Sequence, residues 1–162
     1  MPTRKPTKKR ATATAKPQAA VAREPHSDEL IEPADLRRIV LETANMLAPD
    51  DISNLLVNEA DIRRRVAELK SHSLDLLKNQ LALALDLLRD HLEGECSQIP
   101  YRTISIVGAA VLYFADDLGL IPDFLPRMGH LDDAAIMATA FELAHAGIER
   151  YCDATDRQLP HL

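Results

Sequence analysis

The chain has 162 residues, of which 46% are apolar and 4% aromatic, with no Trp, five Gly, ten Pro and a net charge of −6. That length carries one domain with appendages and excludes two independent cores. Scarce glycine, few aromatics and no alternating β-branched runs exclude a β-rich fold, so the expected class is all-α with a core of Leu, Ala, Ile and Val.

The charge is unevenly spread. Residues 1–23 hold seven basic side chains (Arg4, Lys5, Lys8, Lys9, Arg10, Lys16 and Arg23) and no acid, which leaves 12 basic and 25 acidic residues in the rest, a net of −13. Such a body repels nucleic-acid phosphate. Residues 1–30 are dominated by Thr, Ala, Lys and Pro and offer too little apolar surface to offset the entropy of ordering, so they are predicted to be disordered. A basic tail of this kind either grips a polyanion, as anionic lipid headgroups or nucleic acid, or serves as a solubilising spacer. No aromatic interleaves its cations, so it has no base-stacking platform. No secretory signal is visible, and Pro2, Pro6 and Pro17 oppose the amphipathic helix of a transit peptide. Cys96 and Cys152 lack metal or redox spacing and read as free, partly buried thiols of a reducing compartment.

A first helix is expected to start near Pro33, with Leu36, Ile39, Val40, Thr43 and Leu47 on one face, and to stop at Pro49. Asp50, Asp51 and Ser53 offer N-caps for a short segment carrying Ile52, Leu55, Leu56 and Val57. From Glu59 to Glu93 the pattern stays helical. Ile62, Val66 and Leu69 make one stripe; Leu74, Leu77, Leu81, Leu85, Leu88 and Leu92 make a second. Ser71, His72 and Ser73 mark a break, with Ser73 as a cap, and Gly94 is a C-terminal stop. The polar face of the Leu-rich helix (Asp75, Lys78, Asn79, Asp86, Arg89, Asp90) is of mixed sign, which favours core packing over lying on a membrane.

Pro100 opens the next helix. Residues 104–115 (ISIVGAAVLYFA) are apolar all round and must be buried. A bilayer core takes about 20 apolar residues, and Asp116 and Asp117 end this run early. A central core helix is therefore expected, with a re-entrant hairpin as the alternative. The last helix begins at Asp132 or Asp133, either of which can cap it, and carries Ala134, Ile136, Met137, Ala140, Phe141, Leu143, Ala144 and Ile148. Small residues on both helices (Gly108, Ala109 and Ala110; Ala134, Ala135, Ala138, Ala140 and Ala144) would let them approach closely. In sum, about five helices form a small bundle with a buried C-terminal hairpin. The tail spans 1–30, the N-terminal helices 31–98, the hairpin 99–153 and a frayed end 154–162.

Between the last two helices lies an acidic connection, Tyr113 to Asp133, with five Asp, two Pro and two Gly. Pro122 and Pro126 stiffen it, so Leu120, Ile121, Phe124 and Leu125 tuck under the helices and leave Asp123, Asp132 and Asp133 at a common mouth. These three carboxylates, with Asp116 and Asp117 near, are ligands of the kind that Mg²⁺, Mn²⁺ or Ca²⁺ prefers, and His130 lies beside them. The simpler alternative makes them helix caps and turn formers. Glu142 and His145 form a Glu-x-x-His step of the di-iron kind, but no second step exists. No nucleophile elbow or phosphate-cradling glycine loop is present. His26, His72, His91 and His161 are isolated.

The connection resembles the YkvA-like family, a domain of unknown function found in bacteria and in some eukaryotic membrane proteins. The resemblance rests on Tyr113, Leu120-Ile121-Pro122-Asp123-Phe124-Leu125-Pro126, Gly129, Leu131, Asp132 and Asp133, and with the flanking helices covers about residues 100–150. The family usually reads Ser-Pro-Ile-Asp where this chain has Asp116, Asp117, Leu118 and Gly119, so the family's proline and first aspartate are missing at 117 and 119. The resemblance implies a compact helical hairpin associated with membranes and no established enzymatic activity. The leading expectation is a non-enzymatic, membrane-associated or interaction module on the cytoplasmic membrane face, with an anionic membrane surface or another helical protein as partner and no small-molecule substrate. The alternatives are a cytoplasmic enzyme using a divalent cation at Asp123, Asp132 and Asp133, and a polyanion binder acting through the tail.

Overall fold

The computed structural model describes residues 32–115 and 133–161. The basic tail lies outside them, as do Ile121, Pro122, Asp123, Pro126, Gly129 and Asp132 of the connection. Among the described residues the fold is all-α, with no strand. The helices are α1 (Pro33–Met46), α2 (Pro49–Val57), α3 (Glu59–Glu68), α4 (Asp75–Leu92), α5 (Tyr101–Phe114), α6 (Asp133–Leu143) and α7 (His145–Thr155), with a 3₁₀ turn at His72–Leu74 ahead of α4.

Proline sets the first boundaries. Pro33 and Pro49 each occupy an opening helical position, where a missing N–H costs nothing. Asp50, Asp51 and Ser53 are not N-caps, because Pro49 starts α2 one residue ahead of them. Asp51 instead reaches back from the third helical position and accepts the Ala48 N–H at 2.8 Å. The break at Ser71–Ser73 is present, but Ser73 lies inside the 3₁₀ turn and caps nothing; its hydroxyl is 2.7 Å from that of Ser71. Gly94 does end α4, at φ 81°. Glu95 N–H reaches Asp90 C=O at 2.9 Å and Gly94 N–H reaches His91 C=O at 3.1 Å, the paired bonds of a Schellman motif.

The core is built around α5. Every residue from Thr103 to Ala115 is buried, enclosed by α1, α2, α4 and α6. The Leu-rich α4 supplies the facing wall with Leu77, Leu81, Leu85 and Leu88, widened by Leu83 and Leu87, while Leu92 stays 42% exposed. Gln80 is drawn into the same wall, 1% exposed, with its amide nitrogen unpaired among the described residues.

The expected last helix is two. A turn at Ala144 separates α6 from α7, and α7 lays Ile148, Tyr151 and Cys152 on the core. The hairpin helices α5 and α6 do pack closely, but one residue of the expected small-residue seam lies elsewhere. Gly108 faces Ile52 of α2, not α6, and the close approach at the hairpin's far end is Gly147 against Thr103. The C-terminal end does not fray from residue 154: α7 runs to Thr155, Asp156 takes a left-handed φ of 53°, and Arg157 N–H closes the helix on Cys152 C=O at 3.0 Å. Cys96 and Cys152 are free and buried, and burial pushes both thiols up, away from reactivity.

Candidate functional site

The two ends of the acidic connection are fixed by described residues. The start of α5 lies against the end of α6 and the start of α7, where Thr103 meets Gly147 and shares a cleft with Leu143 and Ala144. The hairpin is therefore antiparallel, and Ala115 and Asp133 mark its opposite end. There Tyr113, 4% exposed, sets its hydroxyl 3.2 Å from Thr43 Oγ1 of α1. Arg65 of α3 donates to Phe114 C=O at 3.3 Å and lies 5.3 Å from the centre of the Phe114 ring. A cation at a helix C-terminus offsets the dipole, and the ring face adds a cation–π attraction. Asp133 is the first residue of α6 and half-buried, with its charge beside that helix's N-terminal N–H groups.

Of the three carboxylates expected at a common mouth, the structure places Asp133; Asp123 and Asp132 lie outside the described residues, as do Arg4, Lys5, Lys8, Lys9, Arg10 and Lys16 of the tail. Among the described residues no group of three or more His, Cys, Asp or Glu side chains is arranged to hold a metal ion. Glu142 and His145 stand on either side of the Ala144 turn and do not act as a pair. Glu142 bonds Arg37 at 2.9 Å, and His145 lies 4.0 Å from Glu149.

Two sets of residues escaped the sequence reading. Arg102 and Arg150, 48 positions apart in the chain, border one cleft at the hairpin's other end. Arg102 is a cation in a first turn that holds no acid, and that was its only signal in the sequence. The second set is a polar network on α4. Asp86 accepts from Arg63 of α3 at 2.7 Å, from Arg89 at 2.8 Å and from Arg157 beyond α7. Tyr151, fully buried, donates to Asp90 Oδ2 at 2.6 Å. The mixed polar face of α4 is thus a seam that ties α3 and the C-terminal segment down.

Burial, and then the bond to Asp90, hold the Tyr151 hydroxyl well above the usual tyrosine range. Its ionisation is thus easier in the unfolded chain, which loses the proton from pH about 10 upward. Above that pH the folded state holds more protons than the unfolded one, so stability falls as pH rises. Tyr151→Phe is expected to flatten this alkaline loss when thermal midpoints are compared from neutral pH to above pH 10; an unchanged alkaline slope would count against it.

Residues 103–139 match the profile of a family described as a protein of unknown function, DUF1232. The matched span covers most of α5, the acidic connection and the first turns of α6. A curated relative, the "Uncharacterized membrane protein YkvA" of Bacillus subtilis (strain 168), is 31% identical over 65 residues, 40% of this chain. The match spans 61% of that protein's length. No solved structure matches the chain. The two comparisons support a YkvA-like assignment, which for the family model rests on residues 103–139.

Proposed function

We propose that the chain is a non-catalytic module that sits peripherally on an anionic membrane surface, held there by its basic tail while the helical bundle stays folded. The relative's name as a membrane protein points to the membrane. The observation that carries the peripheral mode is the enclosure of α5 by α1, α2, α4 and α6. Residues 104–115 already have protein on every side, and lifting them into lipid would dismantle the core. Among the described residues no helix is long and apolar enough to cross a membrane. Each Lys or Arg near an anionic surface contributes about 1 kcal/mol, and salt screens that attraction. The seven cations of residues 1–23 are thus enough for a reversible anchor, facing the anionic cytoplasmic leaflet.

The test is membrane fractionation of the full chain beside a chain lacking residues 1–23, with a high-salt wash and then a carbonate wash. Salt alone is expected to release the full chain, and the shortened chain is expected in the supernatant from the start. Retention of both chains through carbonate would overturn the peripheral mode in favour of an inserted hairpin. Two soluble chains would overturn membrane association. Release by nuclease would make the tail's partner a nucleic acid.

A further inference from the structure

Exposed large apolar side chains gather at one place on the bundle. Met46 is 49% exposed, Leu92 42% and Tyr101 36%. They stand in the last turn of α1, the last turn of α4 and the first turn of α5. Two contacts bring these helix ends together. Tyr101 donates its hydroxyl to Leu47 C=O, just past Met46, at 2.9 Å. Its ring centre lies 6.1 Å from that of His91, the residue before Leu92. Among the described residues, Val57 is the one large exposed apolar side chain outside this group.

The rim of this face is acidic on two sides. Asp50 and Asp51 form the first turn of α2, next to the end of α1. Burial, and then the Asp51 charge, push the Tyr101 hydroxyl up, so that carboxylate lies near the ring. Glu93 and Glu95 follow Leu92 on the other side. All four acids are exposed, and none has an ion-pair partner among the described residues. Arg102, the next residue of α5, borders the cleft at Gly147 instead. An apolar centre between two unpaired acidic sides suits an occupant with an apolar stretch between two cations.

The chain holds such a stretch. Lys16 and Arg23 bracket Pro17, Ala19, Ala20, Val21 and Ala22, and no acid occurs from residue 1 to residue 23. Its distance along the chain fits as well. α1 has 14 residues, so at about 1.5 Å each the face at its end lies ~20 Å from Pro33. A flexible chain spans about 5–6 Å times the square root of its residue number, which puts Arg23 ~16–19 Å and Lys16 ~21–25 Å from Pro33. A linker whose natural span matches the separation gives the highest local concentration.

We propose that residues 16–23 dock on this face of their own chain. Lys16 and Arg23 lie against the two acidic sides, and the Ala-Val stretch covers Met46, Tyr101 and Leu92. Exposed ion pairs of this kind are weak and screened by salt, so the docked tail exchanges with the free one. One consequence rests on the peripheral membrane reading: body and anionic surface compete for the same cations, and the body holds the tail until a sufficiently anionic surface displaces it.

The test uses the full chain, ¹⁵N-labelled, with Thr14→Cys carrying a nitroxide. Cys96 and Cys152 are buried with their thiols pushed up, so they resist the label. Paramagnetic broadening is expected at the amides of residues 46–51, 91–95 and 101 in low salt. It should vanish at about 1 M salt, where the screening length is ~3 Å. Asp50→Asn, Glu93→Gln and Glu95→Gln together should reduce it several-fold. Val21→Ser, which changes no charge, should reduce it too. Absent broadening, broadening spread evenly over the acidic body, or broadening that the triple variant leaves unchanged would each overturn the proposal. The parent map decides even if a variant folds poorly. A ¹⁵N chain without nitroxide, mixed with a nitroxide-bearing chain at natural abundance, should show no broadening. Equal broadening in that mixture would make the occupant the tail of a second copy and overturn docking within the chain. Phosphatidylserine vesicles, added last, should relieve the broadening. Broadening that persists beside them supports the docking and counts against the membrane reading alone.

Discussion

Ile104→Ala is expected to lower the free energy of unfolding by about 2–5 kcal/mol. Ile104 has no exposed surface and lies in the helix around which the others pack. The substitution removes three carbon groups at ~0.8 kcal/mol each and leaves a cavity that the neighbours only partly fill. A domain of this kind has about 5–15 kcal/mol in all, so the loss is a large fraction of the whole. Urea unfolding would show it as a lower midpoint at unchanged slope. Met46→Ala, at a side chain 49% exposed, is the control and should shift stability by less than about 0.5 kcal/mol. The result also bears on the membrane reading. A helix whose side chains faced lipid would lose little, because acyl chains close around a smaller residue. A cost for Ile104→Ala near that of Met46→Ala would therefore undo both the packing described for α5 and the peripheral mode that rests on it.

The parts of this fold that could be read in the sequence are those with a local cause. Residues 104–115 are apolar on every side, which only burial on every side explains, and α5 is so buried. Pro33, Pro49 and Gly94 mark boundaries because each acts on its own backbone. The Ala144 turn had no such mark: neither proline nor glycine occupies it, and α6 is too evenly apolar for its pattern to show where a face ends. The α4 seam was hidden for another reason. Asp86 and Arg89 have the mixed signs of a solvated face, and only their partners 23 to 71 residues away show otherwise. Gln80 entered the core because Leu77, Leu83 and Ala84, its neighbours on the same helix face, are all buried and carry it inward. Tyr113 was singled out by its motif and is held at the hairpin's end by Thr43, but the carboxylates expected beside it belong mostly to the connection. The cleft at Arg102 and Arg150 could not be seen at all, since it exists only once Gly147 of α7 meets Thr103 of α5.

Gly147→Ala is expected to destabilise the fold by about 1–3 kcal/mol, the usual cost of forcing extra volume into a packed junction. Helix propensity alone predicts the opposite sign, since alanine inside a helix is favoured over glycine by roughly 0.5–1 kcal/mol. Sterics should win here because of what the new methyl group meets. It would lie 2.1, 2.6 and 2.8 Å from Oγ1, Cγ2 and Cβ of Thr103. Those atoms are the whole of a short, β-branched side chain, stiff at χ1 and with no far end to swing aside. Gly108 provides the contrast. A Cβ there would meet Ile52 Cδ1 at 2.5 Å, but that atom is the tip of a longer side chain. Gly108→Ala is therefore expected to be near neutral, with propensity offsetting a small shift of Ile52. The cause can be isolated with a double-mutant cycle. If the clash with Thr103 is responsible, Gly147→Ala made in a Thr103→Ala background should cost much less than in the wild type. If the two substitutions simply add, the destabilisation comes from elsewhere in α7, and the contact between Gly147 and Thr103 is not what fixes the junction between the hairpin's open end and the last helix.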